Sequence, residues 1–184
     1  MVTTVPVLGI VGSLRAASYN GWLLRAAAEL APPELAISPF GLAQIPGYNA
    51  DEGLPDEPAP VAALRAAVRD ASALLIASPE YNYGVPGVLK NALDWISRPS
   101  DRSPLERKPV AIMGASVGGS GTMRMQLQLR LTLQAVEMYA MPKPEVVVGF
   151  CRDKFDADGR LTDDRTRDHL KGFLAAFLEW TRRF

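Results

Sequence analysis

Val5-Pro-Val-Leu-Gly-Ile-Val11 runs directly into Gly12-Ser-Leu-Arg-Ala-Ala-Ser-Tyr-Asn20, and from there into a helix-like segment, Trp22 to Leu30. The first run is apolar almost without interruption, as a strand covered on both faces should be. The loop after it holds polar anchors within eight residues: the hydroxyls of Ser13 and Ser18, the forked donors of Arg15, and Asn20, a residue type favoured at helix N-caps. A helix beginning there presents free amides and a partial positive charge to the loop. No Asp or Glu occurs from Val5 through Ala28 to repel an anion. Strand, polar loop and helix start together read as a phosphate cradle, although an ordinary capped helix start has the same ingredients.

The pattern repeats outward from this unit. Further apolar runs at Ala73–Ala77, Val110–Gly114 and Val146–Val148, with a weaker one at Glu34–Phe40, alternate with helix-like segments at 20–31, 58–71, 86–98, 121–137 and 163–183. Five β-α units predict an α/β fold: a doubly wound, five-stranded parallel sheet with right-handed crossovers and helices on both faces. Val61, Leu64, Val68 and Ala71 recur at helical spacing, as do Leu170, Phe173, Leu174, Phe177 and Leu178. Pro86 opens the third helix, whose buried face is Leu89, Leu93 and Ile96. Segment 121–137 differs, because Leu127 and Leu131 fall on one side and Met125, Leu129, Leu133 and Val136 on another. Apolar on two sides, it is expected to form a subunit interface, making the protein a homodimer or homotetramer. Stretch 41–60, broken by Pro46-Gly47, Gly53 and Pro55, is the longest expected loop and a candidate wall or lid beside a ligand.

Composition narrows the function classes. A chain of 184 residues, 48% hydrophobic and 22% charged, suits one globular domain spanning 1–184, without a separate substrate domain. Its formal net charge of zero and lack of a basic stripe argue against nucleic-acid binding. Cys151 is the single cysteine, so no intrachain disulfide or thiolate metal cluster can form, which fits a reducing cytoplasm. Met1 to Gly12 lacks a basic leader pattern and reads as a strand, and no apolar run approaches the roughly 18 residues that cross a bilayer.

In a doubly wound sheet the ligand sits beyond the carboxyl ends of the strands, so the loops after the first, third and fourth strands should converge. The second of these, Ser78-Pro-Glu-Tyr-Asn-Tyr-Gly-Val-Pro-Gly87, is rich in aromatic and polar groups. The third, Ala115-Ser-Val-Gly-Gly-Ser-Gly121, is built of small residues whose amides can approach a flat ligand. Anion anchor, aromatic wall and small-residue shelf suit flavin mononucleotide (FMN). Asn91, Asp94 and Trp95 read as structural, with Asp94 and Trp95 candidate interface residues, and Lys90 as a solvated charge.

Gly12-Ser-Leu-Arg-x-x-Ser-x-Asn20 and Ser78-Pro-Glu-Tyr-Asn-x-Gly-x-Pro-Gly-x-Leu-Lys-Asn-x-Leu-Asp-Trp95 resemble the two signatures of the NADPH-dependent FMN reductase family. These are flavodoxin-like enzymes that include soluble quinone and chromate reductases, and the likeness covers nearly the whole chain. It implies strand order 2-1-3-4-5, with Ser13, Arg15, Ser18 and Asn20 at the FMN phosphate. It places Pro79, Glu80, Tyr81 and Asn82 along the isoalloxazine and ribityl chain, and Ser116, Gly118 and Gly119 at the polar edge of the ring. Tyr19 and Tyr83, which adjoin these positions, join them as candidate cofactor contacts. Glu80 has a duller reading as a cap or an arginine partner, and Tyr81 and Tyr83 as ordinary loop aromatics.

The resulting expectation is an enzyme that takes hydride from NADPH or NADH onto FMN and passes electrons to a quinone, a flavin or another small acceptor. Without a second domain, donor and acceptor should use one site in turn, a ping-pong scheme. No catalytic side chain and no metal are required. Arg98, Arg102, Arg107 and Arg124 are equal candidates for a nucleotide 2′-phosphate. Three rivals stand beside this reading: a flavodoxin-type electron carrier, a non-catalytic binding protein, and a serine hydrolase. The last rests on Gly114-Ala-Ser116-Val-Gly118, which matches a nucleophile elbow, with His169 as the single available histidine base. Lys154-Phe-Asp156-Ala-Asp158-Gly159 has the wrong residues at the end positions of a calcium loop and reads as a turn.

Overall fold

The computed structural model describes residues 4–184, so the first three residues of the expected Met1–Gly12 strand segment lie outside the described residues. Strands β1 (Val5–Val11), β2 (Leu35–Phe40), β3 (Ala73–Ala77) and β4 (Pro109–Ala115) pair in parallel in the spatial order β2-β1-β3-β4. The position beyond β4 is shared by two short strands. β5 (Tyr139–Ala140) pairs with Pro109 and Val110, and β6 (Val146–Val148) pairs with Met113 through Ala115. Pro142 and Pro144 fall between them, and a proline cannot donate to the ladder, so the strand is interrupted there. The order is thus 2-1-3-4-5, as the family resemblance implied, with the fifth position split.

Helices α1 (Tyr19–Leu30), α2 (Ala59–Asp70), α3 (Gly87–Ile96), α4 (Met123–Ala135) and α5 (Asp164–Thr181) cover both faces. Every residue of β3 and β4 is buried, which their unbroken apolar character requires. Alternate residues go to opposite sides: Ala73, Leu75, Ala77, Ala111 and Met113 pack with α1 and α5, while Leu74, Ile76, Val110 and Ile112 pack with α2, α3 and α4. The stripe of α5, from Leu170 through Leu178, is buried at all five positions read from its spacing, as is that of α2. No helix among the described residues is long and apolar enough to cross a membrane.

Two close approaches bring the strand ends together at the carboxyl rim. A Cβ on Gly12 would lie 2.3 Å from Ser78 Oγ, and one on Gly114 would lie 2.5 Å from the Ser78 carbonyl oxygen. Glycine at both positions lets β1, β3 and β4 deliver their loops side by side. Stretch 41–60 does not serve as a lid over that rim. It packs along α3, where Asn91 accepts from the Tyr48 amide at 2.7 Å and donates to the Pro46 carbonyl at 2.7 Å. Trp95, expected near an interface, is instead core: it is 1% exposed and donates Nε1–H to the same Pro46 carbonyl at 2.8 Å. The buried Arg65–Glu57 pair at 2.8 Å fastens this stretch to the end of α3, because Arg65 also donates to the Trp95 and Ile96 carbonyls. Asp94 and Lys90 form a surface ion pair at 2.8 Å.

Candidate functional site

The three loops meet in one open cleft lined by Ser13, Arg15, Ser18, Tyr19, Asn20, Pro79, Glu80, Tyr81, Ala115, Ser116 and Val117. Nine of the sequence-derived candidates are therefore brought together. Asn82, Tyr83, Gly118 and Gly119 lie outside the lining, and Ala115 and Val117 join it without having been anticipated. Stretch 41–60 contributes no residue to it.

In the first loop, Ser18 caps α1 rather than Asn20, its hydroxyl accepting from the Gly21 amide at 3.3 Å. Asn20 is buried and spans to the end of β4: Nδ2 donates to the Ala115 carbonyl at 2.9 Å and Oδ1 accepts from the Ala115 amide at 2.8 Å. This bracket fixes the start of α1 against the third loop and leaves Asn20 few free valences for a ligand. Arg15 is exposed, its amide donating to Ser13 Oγ at 3.3 Å. Its guanidinium makes no ion pair and no hydrogen bond among the described residues. A charged fork, two hydroxyls and the amino end of α1 thus surround a space with no carboxylate in the loop itself.

The second loop is tightly held. Tyr81 and Gly84 exchange backbone hydrogen bonds at 3.2 and 2.9 Å across Asn82 and Tyr83, whose φ values of 49° and 66° make a two-residue turn of the I′ kind. Glu80 turns away from solvent toward α4, where its carboxylate accepts from the Met125 amide at 3.0 Å and from Arg124 Nη1 at 3.2 Å. Both duller readings of Glu80, cap and arginine partner, apply at once. Tyr83 lies under the Arg124 guanidinium, 4.1 Å from its ring centroid, and Tyr81 is half exposed at the cleft.

The third loop rests on the segment after β6. Ser116 donates its amide to the Val148 carbonyl at 2.9 Å and accepts at its own carbonyl from the Cys151 amide at 3.1 Å. Gly118 donates its amide to Ser116 Oγ at 3.2 Å, and a Cβ on Gly119 would meet the Phe150 ring at 2.6 Å. Both glycines are exposed, Gly118 bonded within the loop and Gly119 set against Phe150. Phe150 is 65% exposed, and no pattern around it in the sequence flagged that position. Burial pushes the Cys151 thiol up to about 11, so it stays a protonated core residue.

His169 does not complete a hydrolase site. It is exposed on α5, its Nε2 lies 2.7 Å from the Glu145 carbonyl, and it lines a separate depression with Val147, Val148, Lys154, Arg165 and Thr166. Ser116 has no histidine in its cleft.

A model of the family described as NADPH-dependent FMN reductase matches residues 5–153, a span that includes all three loops. The chain belongs to this family. It is 45% identical over 183 residues to an NAD(P)H-dependent FMN reductase of Pseudomonas aeruginosa, covering 100% of this chain and 98% of that protein. It is 41% identical over 189 residues to a quinone reductase of Escherichia coli, again covering 100% and 98%. Among solved structures, the flavoenzyme NAD(P)H:(acceptor) oxidoreductase FerB of Paracoccus denitrificans superposes with a TM-score of 0.91 at 34% identity, over 98% of each chain. The sequence reading of a flavodoxin-like, flavin-dependent oxidoreductase stands at the level of this family.

Proposed function

We propose that the cleft holds FMN and that the protein is an NAD(P)H-dependent oxidoreductase delivering electrons to a quinone or a similar small acceptor. The observation that carries this reading is the convergence of an arginine whose guanidinium is unpaired among the described residues, two serines and the amino end of α1 with the Pro79–Tyr81 wall and Ser116. That donor set fits an anionic tail attached to a flat aromatic body.

Arg15, Ser13 and Ser18 would bind the phosphate, with Tyr19, which packs edge-on to Trp22 at 5.0 Å, closing the side. Pro79 and Tyr81 would orient the ring, and the Ser116–Val117 backbone would face its polar edge. When bound, FMN supplies the redox chemistry, accepting hydride from a reduced nicotinamide and giving up electrons to the acceptor. The chain's own part is to bind, orient and leave one face open, which the exposed Tyr81 rim and the shallow cleft allow. Donor and acceptor then use that face in turn. Of the four arginines considered for a nucleotide phosphate, Arg124 adjoins the cleft through Glu80. Arg98 and Arg102 line another cavity with Trp95, and Arg107 lies in the turn just before β4.

Steady-state oxidation of NADPH or NADH in the presence of FMN and a benzoquinone tests the reading. Turnover that depends on both nicotinamide and quinone supports an enzyme, whereas reduction without turnover would leave an electron carrier. The buried, single Cys151 suits a reducing cytoplasm.

A homodimer or homotetramer is also proposed, on a separate observation. Met123, Leu127 and Leu131 recur every four residues on α4 and are 54%, 59% and 68% exposed. Light scattering should report a dimer or larger, and Leu127→Glu should shift the protein toward monomer; a parent chain that is already monomeric would refute it.

A further inference from the structure

The first two turns of α4 hold the second loop at four points, through Arg124 and Met125 on Glu80 and through Arg124 and Gln128 on Tyr83, while Arg124 also touches Ser120 of the third loop. Arg124 reaches Glu80 Oε1 at 3.2 Å, Ser120 Oγ at 3.4 Å and the face of Tyr83, while the Met125 amide reaches Glu80 Oε2 at 3.0 Å. Gln128 Nε2 donates to the Tyr83 carbonyl at 3.0 Å. Tyr83 is a bulky residue at positive φ, a conformation that persists only where neighbours over-determine it. The Glu80 side chain is 8% exposed and that of Arg124 47%, so the carboxylate is withdrawn from water beside the cleft it lines and is balanced by one cation. Removing Arg124 leaves the Glu80 carboxylate alone in a poorly screened place, while removing Glu80 leaves Arg124 as a half-exposed cation beside the cleft.

We propose that Glu80 and Arg124 are a positioning pair that fixes the wall of the flavin site and, by neutralising each other, sets how readily the bound flavin is reduced. This rests on the FMN reading of the cleft. Reduction adds negative charge to the ring, so an uncompensated Arg124 favours it and an uncompensated Glu80 opposes it. Glu80→Gln strips the negative charge and keeps one acceptor oxygen where the carboxylate offered two, and Arg124→Gln strips the positive charge.

Two measurements test the pair. With FMN bound, the midpoint potential should rise in E80Q, fall in R124Q and return near the parent value in the double variant. Shifts of the same sign in both single variants, or none, would overturn the electrostatic role, since a purely structural pair has no reason to give opposite signs. Without FMN, amide hydrogen exchange at Tyr81 and Gly84 should be roughly tenfold faster in R124Q, as expected for loss of a charge-assisted bond, and should quicken by less in E80Q, where one acceptor oxygen and the Arg124–Tyr83 stacking remain. Unchanged exchange in R124Q would overturn the positioning role. A parent protein that takes up no FMN would refute the cleft reading instead, while the exchange measurement still decides the clamp.

Discussion

Loops 12–20 and 78–87 line the same cleft in opposite conditions. In the second, three side chains are already engaged within the chain: Glu80 by α4, the Tyr83 ring by Arg124, and the buried Ser78 hydroxyl by the Pro79 carbonyl at 3.1 Å. In the first, Asn20 is engaged but the guanidinium of the exposed Arg15 has no partner among the described residues. A loop whose polar groups are internally satisfied holds a shape, and one that leaves a cation unsatisfied is equipped to take an anion. The anchor and the wall of a binding site are thus separate tasks, assigned to separate loops.

Breaking the rigid part should cost the most. Asn20→Leu strands both the amide and the carbonyl of Ala115, and at about 1–3 kcal/mol per buried unsatisfied group the loss of unfolding stability should be ~2–6 kcal/mol by urea titration. A loss under ~0.5 kcal/mol would mean that the bracket does not hold the first loop to the third. Arg15→Ala should do the reverse. FMN affinity should weaken by roughly 1.5–3 kcal/mol, the scale of a charge-assisted bond, with the urea midpoint unmoved. Parent-like FMN titration in that variant would remove the phosphate assignment.

Tyr81→Ala sharpens the contrast from the wall's side. It should alter quenching of flavin fluorescence or turnover and leave the affinity for free inorganic phosphate as it was. Finding neither spectral nor kinetic change would demote Tyr81 to a surface aromatic.

The smallest effect concerns pH. Ser18 caps α1 with a neutral hydroxyl, whereas Asp163 caps α5 with a carboxylate, held below the ordinary value of 3.8 by its hydrogen bonds with the Thr166 side chain and amide. Its folded pKa being lowered, the stabilisation of α5 is complete above about pH 3.8 and is lost as pH falls through the lowered value. Amide exchange in the first turn of α5 should therefore quicken on acidification more than in the first turn of α1. Equal responses at the two ends would contradict the cap assignment.

What could be seen in the sequence follows from the range of the interactions. β1 and β3 are bounded where the apolar runs begin and end, and the α5 stripe appears in full, because burial on one or two faces writes a local period into the chain. The splitting of the fifth strand was hidden, since a two-residue strand at Tyr139–Ala140 has no period to read. Asn20 looked like a cap because helix starts favour that residue; its true partner, Ala115, is 95 residues away. Glu80 likewise finds Met125 45 residues on, a contact that no spacing rule encodes. The loops that form the site were legible, but the division between engaged and free side chains emerged only from three-dimensional pairing.

The most direct test of the central claim is a visible-spectrum titration of the purified protein with FMN, followed by addition of NADPH or NADH. The account predicts saturable uptake at one FMN per chain, with oxidised-flavin bands that bleach on addition of the nicotinamide. Protein that remains colourless after incubation with FMN and removal of the excess would contradict it.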